Sequence, residues 1–171
     1  MLFRSVYLQT DRPELAKPHV EAIGADDFAM VQRNGAFLLT CSSTARVAGE
    51  VGALEVAEAA YHHAAPFDDA FPFSGVGFEY PVGVGVGVAA AALGWYDKAE
   101  QHFAKAHALC LRAGAASYLA GTEMHWAEML HKRNESGEAV RARELAESAL
   151  AAANRLGLAY IRTRAERLLA N

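Results

Sequence analysis

The residues in this sequence best spaced for chemistry are His107 and Cys110. Residues three apart on a helix share a face, so the imidazole could act as a base for the thiol, or both could ligate a metal. A zinc site takes three or four such ligands, and the adjacent His62 and His63 point to different faces of a helix. Because the flanking pattern places Cys110 on an apolar helix face, we expect a buried, unreactive thiol, no bound metal and no cofactor.

Two other patterns could carry chemistry. Asp68 and Asp69 lie in a loop and could work as paired carboxylates, although solvated loop charges are the simpler interpretation. Gly85, Gly87 and Ala90 fit a loose dinucleotide-binding pattern, but no strand precedes them as that motif requires. Glycines that allow close helix packing are the favoured interpretation. The sequence also has no Gly-x₄-Gly-Lys phosphate loop, so we predict that this segment is not an enzyme.

Composition limits the classes of partner. The 171 residues carry a net charge of −4, so nothing favours binding to DNA or RNA. The two cysteines form no close-spaced pair, which is typical of free thiols in a reducing cytoplasm. The first residues lack the basic and apolar regions of a signal peptide, and the apolar stretch 81–96 is too short and too rich in glycine to span a membrane. We therefore expect a cytoplasmic protein with no nucleic-acid or membrane partner.

A frame of small and aromatic residues recurs along the chain at near-constant spacing. It begins at a glycine and continues with an alanine, an aromatic residue and a second alanine. The clearest copy starts at Gly94, and others start 42 residues earlier at Gly52 and 43 residues later at Gly137, where Ala146 stands in the aromatic position. A repeat of about 40 residues, each a pair of helices, is typical of a helical solenoid. We therefore predict turns at the three glycines.

The resulting prediction is an all-α, right-handed solenoid of about four helix pairs in a single domain. Residues 82–93 alternate Val and Gly like a strand, but their position in the repeat requires a helix. A solenoid normally begins with a polar capping repeat, whereas this chain starts inside a unit, so we expect it to be a fragment of a longer protein. The predicted units are residues 1–24, 35–64, 80–113 and 115–156, followed by a capping helix over 158–170.

The stretch GWYDKAEQHFAKA, which begins at Gly94, resembles a tetratricopeptide repeat through its turn and second helix. Gly87 falls where that family places the small residue of its first helix. Over roughly residues 35–170 the long units resemble the C-terminal repeat regions of bacterial ATPase-containing transcriptional activators and nucleotide-cyclase-like signalling regulators. This resemblance implies a protein-interaction or regulatory scaffold domain in signalling or transcription regulation. The implied partner is another protein or another domain of the same parent protein.

In tetratricopeptide-like pairs, exposed positions of the first helix line a concave face that contacts the partner. The family's spacing places eight residues of this chain on that face, and the middle of the stripe is apolar. A bare apolar stripe is unfavourable in water, so we expect either the loop 66–81 or a second copy of the chain, in a homodimer, to cover it. The eight residues are Leu39, Ser42, Arg46, Val84, Val88, Met124, Ala127 and His131.

The loop 66–81 is long for a connection between two helices, and long loops are often functional. Its aromatic content argues against disorder. An alternative function is therefore small-molecule sensing, in which an apolar pocket between this loop and the helix 82–93 holds a hydrophobic effector. The aromatic residues of the loop are Phe67, Phe71, Phe73, Phe78 and Tyr80.

Overall fold

The computed structural model describes residues 15–75 and 77–170, and over these residues the regular structure is helical, as predicted. The predicted start of the first unit, residues 1–14, lies outside the described residues. A short 3₁₀ turn, Ala65–Phe67, follows the third helix. The helices are α1 (Lys17–Phe28), α2 (Phe37–Val51), α3 (Leu54–Ala64), α4 (Val82–Ala92), α5 (Tyr96–Ala113), α6 (Ala116–Arg133), α7 (Glu138–Leu156) and α8 (Ala159–Leu169).

The three predicted turn glycines all lie between helices in the left-handed region of the backbone. Gly52 ends α2 with φ 69°, Gly94 lies between α4 and α5 with φ 78°, and Gly137 precedes α7 with φ 84°. A side chain with a Cβ is strained at such φ values, whereas glycine adopts them freely. The prediction of turns at these positions is therefore confirmed, and the recurring glycine of the frame has a conformational cause.

The glycine-rich segment after the aromatic loop is a helix, which confirms the interpretation from the repeat. In α4, every residue from Val82 to Ala90 is buried. A helix that is apolar on all sides needs neighbours on all sides, and here they compensate for the low helix propensity of its glycines. Pro81 stands directly before the first residue of α4, a position where proline leaves the helical hydrogen bonds intact.

The described chain forms two compact units, residues 15–102 and 103–170, and α5 begins in the first and ends in the second. In the first unit α2 packs against both α3 and α4, and α3 also contacts α4. A Cβ added at Gly85 would lie 2.4 Å from the carbonyl oxygen of Ser42, and one added at Gly49 would lie 2.9 Å from that of Val88. The two helices α2 and α4 therefore meet backbone to backbone.

The second unit has its own apolar core, formed largely by alanine. The helix α7 packs against both α6 and α8, and α6 also contacts α8. Small side chains such as Ala127 and Ala146 let these helices approach closely, while Met124 and Ile161 fill the remaining space. The alanine that replaces the aromatic residue of the third frame, Ala146, is therefore part of a closely packed interface.

The helix α1 ends in a left-handed turn built from residues other than glycine. Asp26, Asp27 and Phe28 have φ values of 49°, 55° and 62°. Such conformations cost about 1–2 kcal/mol per residue, so contacts elsewhere must hold them. His63 Nε2 lies 2.7 Å from the Asp27 carboxylate, and the buried Phe28 ring packs edge-on against Phe37 and His63. This cluster fixes the end of α1 against the first unit's other helices.

Candidate functional site

The eight residues expected on a concave binding face do not form an open surface. Arg46 is half-buried and His131 is exposed, but the expectation of exposure is wrong for the other six. Those six are buried within the chain itself: Leu39, Ser42, Val84, Val88, Met124 and Ala127.

The close packing of the helices explains this burial. In the first unit, Gly85 and Gly49 let α2 and α4 touch, α4 also packs against α3, and the valines of α4 are buried. Neither the aromatic loop alone nor a second copy of the chain is needed to cover the apolar stripe. In the second unit, Met124 and Ala127 belong to the core that α6 shares with α7 and α8.

The aromatic loop contains a small hairpin. Phe73 and Phe78 make a single antiparallel bridge, and the Glu79 N–H donates to the Pro72 carbonyl at 3.0 Å. At the turn, the Ser74 N–H donates to the Gly77 carbonyl at 2.8 Å, and the Ser74 hydroxyl donates to the same oxygen at 2.9 Å. We call this segment, of which the structure describes residues 72–75 and 77–79, the aromatic hairpin. Its backbone bonds join the two sides of the loop.

Three phenylalanine rings of this loop are open to solvent. Phe67 is 51% exposed, Phe73 is 53% exposed and Phe78 is 60% exposed. The ring of Phe78 packs on Phe73 at 5.3 Å between centroids and on the half-buried Phe71 at 6.2 Å. The rings of Phe71, Phe73 and Phe78 thus form one apolar cluster, in which Phe73 and Phe78 are exposed at the surface.

Buried polar groups anchor the loop below the hairpin. Asp68 Oδ2 lies 2.7 Å from His102 Nδ1, and the Tyr61 hydroxyl lies 3.1 Å from His102 Nε2. All three side chains are buried. The interpretation of Asp68 as a solvated loop charge is therefore wrong, because it is buried and hydrogen-bonded to His102, whereas Asp69 is exposed. A further anchor is the Val82 N–H, which donates to the Ala70 carbonyl at 3.0 Å.

A small polar cleft lies where the end of the loop meets α2 and α4. Ser42, Arg46, Glu79 and Tyr80 contribute to its lining, and the Arg46 guanidinium lies over the Tyr80 ring at 5.6 Å. The cleft has a volume of about 10 Å³, which is room for about one water molecule. Pockets for drug-sized ligands are roughly 300–1,000 Å³ and mostly apolar. This cleft therefore does not match the apolar effector pocket that was the alternative prediction.

The candidate catalytic pair in α5 is not brought together. His107 Nε2 lies 3.4 Å from Glu123 Oε1, whereas Cys110 Sγ lies 3.8 Å from the Thr122 hydroxyl. Burial raises the pKa of the Cys110 thiol and raises that of Cys41 to about 12. Both thiols are fully buried and protonated at neutral pH, so neither has the thiolate that nucleophilic chemistry needs.

A second polar network lies in the second unit. Arg164 donates to both carboxylate oxygens of Glu128, with the Nε bond at 2.8 Å, and to the Tyr160 hydroxyl at 2.8 Å. Its Nη2 also lies 3.3 Å from Nδ1 of the buried His125. These bonds join α6 to α8, so a structural role accounts for the network.

Residues 15–75 and 77–170 contain no group of three or more His, Cys, Asp or Glu side chains that could hold a metal ion. Within the same ranges, no helix combines the length and the apolar character needed to cross a membrane.

No protein family, curated protein or solved structure matches this chain.

His102 is the residue of this region that the sequence pattern did not single out. It stands directly before Phe103 in the clearest copy of the frame, and its partners are distant in the chain. One signal was present, because Tyr61 occupies the frame position that Phe103 occupies in the next copy. A hydroxyl at a buried aromatic position needs a hydrogen-bond partner, which is the role His102 fills.

Proposed function

We propose that this chain is a helical-repeat interaction module whose aromatic hairpin inserts into an apolar groove of a partner protein. The observation that carries the proposal is an ordered hairpin that exposes Phe73 and Phe78 on a rigid base. Contiguous exposed apolar patches mark interaction sites, and aromatic residues dominate the binding energy of interfaces. The helices supply the scaffold rather than the contact surface.

Burial of the two hairpin rings supplies part of the energy that recognition of a partner needs. A ring that is about half exposed leaves roughly 100 Å² to bury, because a whole aromatic side chain buries about 150–250 Å². At about 25 cal/mol per Å², each of Phe73 and Phe78 contributes about 2–3 kcal/mol to binding. Since the backbone bonds of the hairpin already fix the loop, little ordering cost opposes this gain.

Charge favours a protein partner over a membrane surface. Residues 65–81 contain three acidic side chains and neither Lys nor Arg. Anionic lipid surfaces attract basic segments, so an acidic loop is repelled by them. An apolar groove in a protein does not need a basic segment on the loop that enters it.

The order of packing supports the repeat scaffold. The helix α2 contacts both α3 and α4, and α7 contacts both α6 and α8. Contacts between nearest and next-nearest helices are what a stack of helix pairs produces. Together with the recurring frame, they support a tetratricopeptide-like solenoid and, through the resemblance, a role in bacterial signalling or transcription regulation. The partner is then a separate protein or another domain of the same parent protein.

The test compares three forms of the purified chain as bait in a bacterial lysate. The double variant Phe73→Ser with Phe78→Ser removes the rings, and Val140→Ser is the matched control because Val140 is an apolar side chain 66% exposed on α7. We expect a partner that wild type and control retain and the hairpin variant loses. All three forms should keep the same helicity, so that a lost partner reflects the missing rings and not unfolding. If the hairpin variant retains the same proteins as the control, the proposal fails.

A further inference from the structure

Tyr61, His102 and Asp68 form a buried chain of hydrogen bonds that the interaction function does not use. Asp68 accepts from His102 Nδ1–H at 2.7 Å, which leaves Nε2 of the neutral imidazole as an acceptor. The Tyr61 hydroxyl, 3.1 Å away, then donates to Nε2. A proton can therefore pass from the phenol of Tyr61 to the imidazole of His102. The carboxylate of Asp68 balances the charge that the imidazole gains.

This order matters for one-electron oxidation of the phenol. Removal of an electron from a tyrosine makes its hydroxyl proton strongly acidic, so the electron leaves readily only where a base can take the proton at the same time. His102 Nε2 is such a base, already within hydrogen-bond distance. Asp68 stabilises the imidazolium that results, because a carboxylate beside a charged imidazole favours the protonated form.

Trp95 supplies a route for the electron. Its ring packs edge-on against the Tyr61 ring with 5.2 Å between centroids, and it is only partly buried. The Lys98 ammonium lies 4.4 Å from the Trp95 ring centroid. A positive charge there destabilises a radical cation on the indole. Oxidised Trp95 therefore takes an electron from Tyr61 more readily.

From this geometry we infer that Tyr61 is a redox-active tyrosine whose oxidation is coupled to proton transfer to His102. A one-electron oxidant, such as a nitrogen-centred or peroxyl radical, takes an electron from Trp95 and is reduced to its anion. Trp95 then takes an electron from Tyr61. As this happens the O–H bond of Tyr61 breaks, its proton binds His102 Nε2, and a neutral tyrosyl radical remains. The inference is independent of the hairpin and its partner.

The test is pulse radiolysis of the full chain with azide radicals, which oxidise tryptophan first. The chain has two tryptophans, so the Trp126→Phe variant serves as the background in which Trp95 is the only indole. We expect the absorption of the indole radical cation to decay as a tyrosyl absorption rises, more slowly in heavy water because a proton moves. Tyr61→Phe should abolish the fast tyrosyl signal. The matched control is Tyr96→Phe, since Tyr96 is the sequence neighbour of Trp95, and it should leave the signal unchanged.

The role of the base is tested with His102→Gln, which keeps a polar side chain of similar size but cannot take the proton. Tyrosyl formation should fall at least about tenfold and lose its dependence on heavy water. If His102→Gln does not fold, as judged by circular dichroism, Asp68→Asn serves in its place and should also slow the reaction. The inference is overturned if Tyr96→Phe removes the signal and Tyr61→Phe does not. It is equally overturned if the folded chain shows no slowing in heavy water, or if the folded base variant reacts at the wild-type rate.

Discussion

At Gly85, the addition of a single methyl group has a clear predicted effect on the stability of the fold. In Gly85→Ala the added Cβ lies 2.4 Å from the Ser42 carbonyl oxygen and 2.9 Å from Ser42 Oγ. Ordinary contact begins at 3.4 Å, so α4 must withdraw from α2 by about 1 Å. Overpacking of this kind costs about 1–3 kcal/mol, while alanine in place of glycine returns about 1 kcal/mol of helix propensity. The clash is with a backbone oxygen, which cannot move aside like a flexible side chain, so the upper part of that range, about 2–3 kcal/mol, applies. After the gain in propensity, we expect the free energy of unfolding to fall by about 1–2 kcal/mol.

Urea denaturation followed by circular dichroism measures this change. The matched control is Gly35→Ala, because nothing lies within 4 Å of a Cβ at Gly35, and its stability should stay within about 0.5 kcal/mol of wild type. A double variant, Gly85→Ala with Ser42→Ala, removes the hydroxyl but keeps the carbonyl oxygen, so it should not recover the lost stability. The reasoning is refuted if Gly85→Ala is as stable as the control or if Ser42→Ala restores it.

Four further predictions concern buried and paired groups. Phe103→Ala should cost about 3–5 kcal/mol in urea denaturation, because the ring is fully buried and stacks on an indole. Val88→Glu should lower stability with no change of mass in light scattering, because Val88 is buried within its own chain. The Cys41 thiol should resist alkylation near pH 8 in the folded chain. Burial raises its pKa from 9.0 to about 12, so its contribution to stability is present below pH 9 and lost as the pH rises toward 12. A hydrogen bond from Arg133 lowers the pKa of Glu138, so Glu138→Gln should destabilise at neutral pH and progressively less as the pH falls through 4.5.

Each of these predictions has a contrary outcome. A loss below about 1 kcal/mol for Phe103→Ala would place that ring outside the core. A Val88→Glu chain that separates from a dimer into folded monomers would mean that Val88 lies at an interface between copies. Rapid alkylation of the folded chain would contradict the burial of Cys41. An effect of Glu138→Gln that does not vary with pH would show that its charge is irrelevant.

The helical class and most helix ends could be predicted from the sequence because they depend on local causes. Glycine at Gly52, Gly94 and Gly137 permits a backbone that other residues resist, so the turns are visible in the sequence itself. Helix over 82–92 was predictable from the register of the repeat, although Val–Gly alternation favours a strand.

The burial of the expected binding face could not be predicted, because it depends on how closely two helices approach. Spacing in the sequence places Val84 and Val88 on a face but does not give the distance to α2. That distance follows from glycines on both helices, Gly49 and Gly85, which meet only in the folded chain. The left-handed turn at Asp26–Phe28 was hidden for a similar reason, since a contact with the distant His63 holds residues that do not favour it.

The pairing of Asp68 with His102 was also beyond the sequence pattern. The two residues lie on a loop and a helix, with α4 between them in the chain, and each alone has an ordinary surface interpretation. What joins them is the path of the loop back across the first unit. By contrast, the exposure of the phenylalanines needed the hairpin geometry, because aromatic content alone predicts burial.

The single bridge between Phe73 and Phe78 affects whether the exposed phenylalanines of this chain promote aggregation. Exposed apolar strands promote aggregation when they offer a row of unpaired backbone groups on which further chains add, strand upon strand. A hairpin this short, with a single bridged pair among the described residues, offers only a short row, and Ser74 and Gly77 at its turn are already bonded to each other. The rings can therefore remain exposed while the backbone beneath them gives a growing fibril little to extend.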